Sequence, residues 1–380
     1  MNNFKLRTEA YITHITAKYI WPLIRFFIKK SLSKRCSHCV LSEKAVEICD
    51  DGICEQCHEF NDNLQQQVQE NTNSVQNIKQ IDKLLKNSVG KGSQWDAILL
   101  FSGGKDSTYL LNELKETYPD LRLLALLVDT GFMSPIALEN AKIVLSHFNI
   151  DYLKYDVSKR FIKKTFNKAF KLIKQQGNYS LVDLVDGEII FDSARNFAAK
   201  FGAPLVICGL AKNQVENVYG DIGVEFTEAE ELNPLTRYCD ITLDELYDQT
   251  EMSYWFDRSK FKKKDIPRFI LPMIAWDPSE QEIVEKLSKL KLLDKNKTSP
   301  LLTNNAMIPV IAIAEVNIFG YTSFEVEFSK TIREGKAPRE YWLNIFQMME
   351  YAGKTGKFVG KTIKQVLKEL ELTKSDIGMK

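Results

Sequence analysis

One segment constrains this chain more than any other: Leu99-Leu-Phe-Ser-Gly-Gly-Lys-Asp-Ser-Thr-Tyr-Leu-Leu111. The apolar run Asp96–Phe101 reads as a buried strand and residues 106–117 as a helix, so Ser102-Gly-Gly-Lys-Asp-Ser107 is the junction between them. Two adjacent glycines let the backbone turn tightly and leave amide groups facing an anion. The helix that starts there adds the positive end of its dipole. Ser102 and Ser107 offer hydroxyl donors, and Lys105 offers a point charge for phosphate. Asp106 has the wrong sign for phosphate but suits a magnesium ion bridging phosphates. Residues 102–107, Gly103 and Gly104 included, therefore read as a phosphate-binding loop, with Lys105 and Asp106 nearest the chemistry.

The loop opens a β-α-β pattern. Leu123–Val128, Asp151–Tyr155 and Pro204–Cys208 are further strands, and helices are expected near 135–148, 159–176 and 188–201. Continuous apolar strands between helices predict an α/β fold, a Rossmann-like parallel sheet covered by helices. After 240 the chain reads as mostly helical, with helices over 339–352 and 360–371. A helix start is expected at Asp277-Pro-Ser-Glu280, with Asp277 as its cap. The spacing of Leu64, Val68, Val75, Ile78, Ile81 and Leu85 predicts a polar helix with one narrow apolar stripe. The organisation is then a basic arm (1–35), a cysteine module (36–60), a polar helical linker (61–92), a nucleotide-binding domain (93–240) and a C-terminal region completing the substrate site (241–380).

Five of the seven cysteines fall within residues 36–57. Cys36-Ser-His-Cys39 and Cys54-Glu-Gln-Cys57 form two knuckles, the usual layout of a structural all-sulfur zinc site, with an iron–sulfur cluster as the rival. Cys49, His38 and His58 read as bystanders. An odd, modest cysteine count at this length fits a reducing compartment, so a cytoplasmic chain is expected.

The formal net charge is +1, which excludes a uniformly basic protein coating nucleic acid. The first 35 residues nevertheless carry eight basic residues and one acid. Within them, Tyr19-Ile-Trp-Pro-Leu-Ile-Arg-Phe-Phe-Ile28 is interrupted by charges too soon to span a bilayer. Two readings stay open. The arm packs on its own domain with basic residues snorkelling, or it rests on an anionic inner-membrane surface or a partner.

Ser102–Ser107 resembles the Ser-Gly-Gly-x-Asp-Ser signature of the PP-loop ATP pyrophosphatases, which cut ATP between its α and β phosphates. That resemblance implies ATP and magnesium as cofactors. It also implies an adenosine contact at Asp129, in Val128-Asp-Thr-Gly131. Cys208-Gly-Leu-Ala-Lys-Asn-Gln-Val-Glu216 is similar to the Gly/Ala-x3-Asp-Gln-x-Glu element of several such enzymes, which marks Gly209, Gln214 and Glu216. Asn213 stands at the Asp position of that element and is a poorer magnesium ligand. The layout of knuckles and loop, with Ser329-Lys-Thr-Ile-Arg-Glu-Gly335 and Arg339, is similar to the N-acetyl sugar amidotransferases of surface-polysaccharide pathways. Arg333 and Arg339 would then meet phosphate or a sugar acid, or else be helix-end charges. The resemblance implies adenylation of an N-acetyl oxygen on a sugar or sugar nucleotide and displacement of AMP by ammonia. No glutaminase constellation is visible, so a separate glutaminase subunit is expected, and a homodimer is a further option. The alternative is a tRNA thiolase, which would need Cys208 or Cys239 near the nucleotide.

Overall fold

The computed structural model describes residues 3–62, 68–176, 179–226, 241–248, 250–294, 299–303 and 305–379. Its centre is a five-stranded sheet in which every pairing is parallel, in the order β3-β2-β1-β4-β5. The strands are β1 (Ala97–Leu100), β2 (Leu123–Asp129), β3 (Asp151–Asp156), β4 (Leu205–Ile207) and β5 (Arg268–Ile270). β1 and β4 are buried throughout, as a central pair covered by helices must be. β3 lies at one edge, and its exposed and half-buried residues blunt that edge with charge.

The order places a topological switch beside β1. The chain leaves β1 for β2 on one side and later returns on the other side as β4. Loops diverge at such a point and open a crevice above the carboxyl ends of the strands. The segments after β1 and β4 are Ser102–Gly104 and Cys208–Ala211, so the two motifs picked out by sequence meet there.

The helices used below are α1 (Asn3–Ile15), α2 (Trp21–Ile28), α3 (Glu55–Asp62), α4 (Val68–Ser88), α5 (Lys105–Thr117), α6 (Pro135–His147), α7 (Lys159–Lys171), α8 (Leu181–Phe201), α9 (Lys212–Tyr219), α10 (Glu280–Lys289), α11 (Ile308–Phe319), α12 (Ser323–Arg333), α13 (Arg339–Thr355) and α14 (Gly360–Leu370). α8 begins at Ser180, whose hydroxyl accepts from the Asp183 amide, and ends at left-handed Gly202. It packs along β1, β2 and β4.

Three expectations needed adjustment. The cap of α10 is Ser279, not Asp277: its hydroxyl accepts from the Glu282 amide and the Glu282 carboxylate returns to the Ser279 amide. Asp277 ends the preceding turn in left-handed conformation (φ 43°) and pairs with Lys336 at 2.7 Å. β5 lies beyond 240, in the part read as helical, because three residues starting with an arginine give no periodic signal. Finally, α4 carries its stripe only in part: Ile81, Leu84 and Leu85 are buried, whereas Val75 and Ile78 are exposed. Leu64 lies outside the described residues.

The basic arm folds back on the C-terminal helices. α1 passes without a break through a π-helical turn, Thr16–Ile20, into α2, and Pro22, which has no N–H to give, sits directly after that turn. Trp21 is fully buried, its indole N–H donating to Gln347 Oε1 at 3.3 Å, with Tyr351 and Phe358 edge-on to its ring. Glu9 accepts from the Lys361 and Thr362 amides and so caps α14. Among the described residues no helix is long and apolar enough to cross a membrane.

Candidate active site and cysteine centre

The Ser102–Ser107 loop forms as its residues require. Gly103 sits at φ +74°, and a Cβ there would lie 2.0 Å from the Ala137 carbonyl oxygen of α6. Only glycine satisfies both conditions. Gly104 caps α5 in extended conformation, and its amide donates to Ser102 Oγ at 3.3 Å. The Ser102 and Ser107 hydroxyls lie 3.2 Å apart, and Thr108 Oγ1 donates to the Gly104 carbonyl at 2.8 Å. Gly209, just past β4, lies against the same loop: a Cβ there would be 3.5 Å from Ser107 Cα. The two strand ends are thus pinned together at the mouth of α5.

Lys105 donates to both oxygens of Asp106, at 2.8 and 3.0 Å. Burial works to lower the Lys105 pKa, but the charges of Asp106, Glu280 and Glu327 outweigh it, and the net shift is upward. The side chain therefore stays cationic in a closely acidic setting.

Lys105 and Asp106 open into a cavity of 480 Å³, a size suited to a small-molecule substrate. Asn213 and Gln214 of the second motif line it as well. Gln214 Oε1 accepts from the Ala211 amide at 3.0 Å and so holds the start of α9, while Asn213 is bonded to Thr331 of α12. Glu216 is turned aside, ion-paired with Lys330 and 3.7 Å from Lys212. Asp129 lies at the end of β2, where its carboxylate pairs with Lys154 at 2.9 Å and accepts from the Gly131 amide at 2.8 Å.

The cavity also holds acids that sequence reasoning missed. Asp183 and Asp186 come from α8, Glu280 from α10 and Glu327 from α12. Burial, with repulsion from Asp183, pushes the Asp186 carboxyl up to about 7 and the Glu327 carboxyl up to about 8. Tyr179 is hydrogen-bonded to Asp183, and Asn305 donates to Asp186 Oδ2 at 3.0 Å. Asn305 and Thr130 work to lower the Asp186 pKa, but burial and Asp183 outweigh them. One signal was available: Asp183 and Asp186 interrupt an apolar helix one turn apart, on the face that must be buried. Ile136, Ile308, Phe328 and Phe346 supply apolar wall, which strengthens electrostatic interactions inside.

The four cysteines converge. Cys36, Cys39, Cys54 and Cys57 are buried, with all four sulfurs within 4.8 Å of one another. Cys36 Sγ lies 3.8 Å from Cys57 Sγ, and Cys39 Sγ 3.7 Å from Cys54 Sγ. A single tetrahedral ion with metal–sulfur bonds of about 2.3 Å holds its sulfurs about 3.8 Å apart, so the donor set fits one ion. Backbone amides of His38 and Cys54 point at Cys36 Sγ, at 3.4 and 3.3 Å, as they do toward thiolates.

Arg339 serves this centre instead of the cavity. Its guanidinium donates to the carbonyls of Cys36 and Cys39, at 2.7 Å each, which locks the first knuckle to α13. Arg35 completes the attachment, buried between Glu325 at 2.6 Å and Glu350 at 3.4 Å. Glu325 and Glu327 lie on the same helix, so the cysteine module braces α12 from one side while Glu327 lines the cavity from the other. Arg333 ends α12 and does not line the cavity; its Nη1 is buried without a partner among the described residues. Cys208 is buried at the end of β4, and burial pushes its thiol up to about 12. Cys239 lies outside the described residues.

No protein-family profile matches the chain. An uncharacterized protein of Methanocaldococcus jannaschii is 39% identical over 75 residues, which span 20% of this chain and 27% of that protein. The match therefore covers about a quarter of that curated relative's length. Among solved structures, the chain is similar to an ammonia-dependent NAD synthetase from Campylobacter jejuni, with TM-score 0.33, 18% identity and coverage of 74% of this chain and 95% of the other. It is similar to a U34-tRNA thiolase from Methanococcus maripaludis carrying a 4Fe–4S cluster, with TM-score 0.33, 13% identity and coverage of 90% and 91%. It is also similar to an NMN synthetase from Francisella tularensis, with TM-score 0.35, 14% identity and coverage of 77% and 95%.

Proposed function

We propose that this chain is an ATP-dependent, AMP- and pyrophosphate-forming amidotransferase of the PP-loop type, which converts an N-acetyl group on a sugar or sugar nucleotide to an amidine. The observation that carries the reading is the meeting of Ser102–Ser107 and Gly209 at the switch point of the sheet, with Lys105 and Asp106 facing an acid-lined cavity. A glycine loop, a helix N-terminus and one lysine suit a pyrophosphate leaving group. Asp106 would hold magnesium, which would neutralise charge between the phosphates.

In the proposed reaction the amide oxygen of the substrate attacks the α phosphorus. A new P–O bond forms, the bond between the α phosphorus and the bridging oxygen breaks, and pyrophosphate leaves against Lys105 and the loop. Ammonia then adds to the imidate carbon and AMP departs with the former amide oxygen. The added nitrogen must lose a proton. Asp186 is suited to take it, because its carboxyl lines the cavity and titrates near neutrality.

Ammonia is mostly protonated at neutral pH, so a separate glutaminase subunit would supply it. The four thiolates would hold zinc as a structural ion, whose role is to fix the knuckles against α12 and α13. The buried, high-pKa Cys208 argues against sulfur transfer through that thiol.

The test is incubation with ATP, magnesium, isotopically labelled ammonium and a panel of N-acetylated sugar nucleotides, followed by mass analysis. Label in an amidine product, absent with Lys105→Ala, supports the reading. Turnover that requires sulfide and tRNA instead would overturn it.

A further inference from the structure

The arm is built the wrong way round for a helix that only packs on its own domain. The face of α1, the π-helical turn and α2 that meets the body carries Glu9, Thr13, Thr16, Ala17 and Trp21. Apart from Trp21, the opposite face carries the larger apolar side chains. Tyr19 is 63% exposed, Leu23 69%, Phe26 78% and Phe27 84%, with Ile12 and Ile15 about half exposed. Their spacing of three and four residues makes one continuous stripe. Leaving such a stripe in water is unfavourable, and contiguous patches of this kind mark interaction surfaces.

The arm is also held rigidly. The buried Trp21, the cap that Glu9 makes on α14, and the bonds from Arg25 to Asn344 at 3.2 Å and to Glu340 at 3.1 Å fix it to the body. The stripe is thus presented by the folded protein.

Charge identifies the occupant. No acidic residue occurs between Glu9 and Glu43, whereas Lys18, Lys29, Lys30 and Lys34 are exposed along the same stretch. The exposed carboxylate packed alongside, Glu340, is paired with Arg25 and Arg339. An apolar stripe with aromatic side chains and a lysine border is the pattern of a helix lying in the interface of an anionic bilayer, with its lysines at the headgroups. From these observations the geometry points to a monotopic docking surface: the arm seats the chain on an anionic lipid surface through Leu23, Phe26 and Phe27, with Lys18, Lys29 and Lys30 on the headgroups. Glu9, Ala10 and Thr13 line the cavity from the inner face of the same arm, so the element that docks through its outer face also walls the substrate site.

The test is flotation of the full-length chain with phosphatidylcholine vesicles, with and without phosphatidylglycerol. The chain should float with the anionic vesicles only and be released by high salt. Lys29→Ala with Lys30→Ala should lower partitioning roughly 25-fold, about fivefold per charge. Phe26→Ser with Phe27→Ser should abolish it, while thermal unfolding and AMP formation from ATP stay as in the parent for both variants. Absence of binding to anionic vesicles would overturn the proposal, as would binding that neither variant alters. A dimer in sedimentation that the phenylalanine variant splits, without vesicle binding, would assign the stripe to a second copy of this chain and overturn it equally. Because AMP formation is read separately, failure here is distinguishable from failure of the proposed enzymatic function.

Discussion

Replacing Gly103 with alanine tests whether the loop geometry, and not only its composition, matters. Alanine at φ +74° costs about 1–2 kcal/mol in backbone conformation alone. Its Cβ would also lie 2.0 Å from the Ala137 carbonyl oxygen, where ordinary contact begins at 3.4 Å. Loop and helix must therefore separate by 3.4 − 2.0 = 1.4 Å. Ala137 is buried in the first turn of α6, whose Ser134 cap is itself buried, so the loop is the part that yields. Misplacing a phosphate-binding group by about 1 Å costs on the order of 100-fold in turnover. Gly104 provides the control. Its φ is an ordinary −82°, and an added Cβ would meet only the Ser102 hydroxyl, at 3.3 Å. Gly104→Ala should cost less than about 1 kcal/mol. The assay is pyrophosphate release with ATP varied at a saturating level of the acceptor substrate, with thermal unfolding in parallel. Gly103→Ala should lose roughly 100-fold in kcat/KM for ATP while Gly104→Ala stays within about threefold. Equal activity in the two variants would refute the reasoning.

Arg339→Ala removes two charged hydrogen bonds to knuckle carbonyls and should destabilise the fold by about 2 kcal/mol, with faster metal release to a chromogenic chelator than from the parent. Asp186 and Glu327 keep their protons to about 7 and about 8 in the native state, against about 4 when unfolded. The native state thus binds more protons in that window, so their contribution is complete below pH ~4 and falls as pH rises through ~7–8. Urea midpoints at successive pH values should show this decline, and Asp186→Asn with Glu327→Gln should flatten it. Cys208→Ser should leave amidation within about twofold, because the thiol is buried and protonated; loss of turnover measured by AMP release would favour sulfur chemistry.

The parts of this molecule that were legible in sequence are those whose chemistry is local. Ser102–Ser107 declares itself because six consecutive residues must together supply a turn, free amides and a charge. The two knuckles declare themselves through spacing that only a shared ion requires. Three of the five strands, β1, β2 and β4, were visible as apolar runs and β3 as a short alternating segment, whereas Arg268–Ile270 was too short to register. The acid cluster was hidden for a different reason. Asp183 and Glu327 are separated by 144 positions (327 − 183), and only the cavity that α8 and α12 both line brings their charges together. Arg339 shows the same limit: beside a glycine-containing turn it reads as an anion ligand, yet the carbonyls it meets belong to residues three hundred positions away. The arm was ambiguous in sequence because both faces of α2 are apolar, and burial alone separates the packed Trp21 from the exposed Phe26 and Phe27.

The central claim is that ATP is cut between its α and β phosphates. Phosphorus NMR of a reaction containing the protein, ATP, magnesium, ammonium and an N-acetylated sugar nucleotide reads this directly. Resonances of AMP and pyrophosphate should grow in equal amounts, and neither should appear with Lys105→Ala. ADP and inorganic phosphate as the products would contradict it.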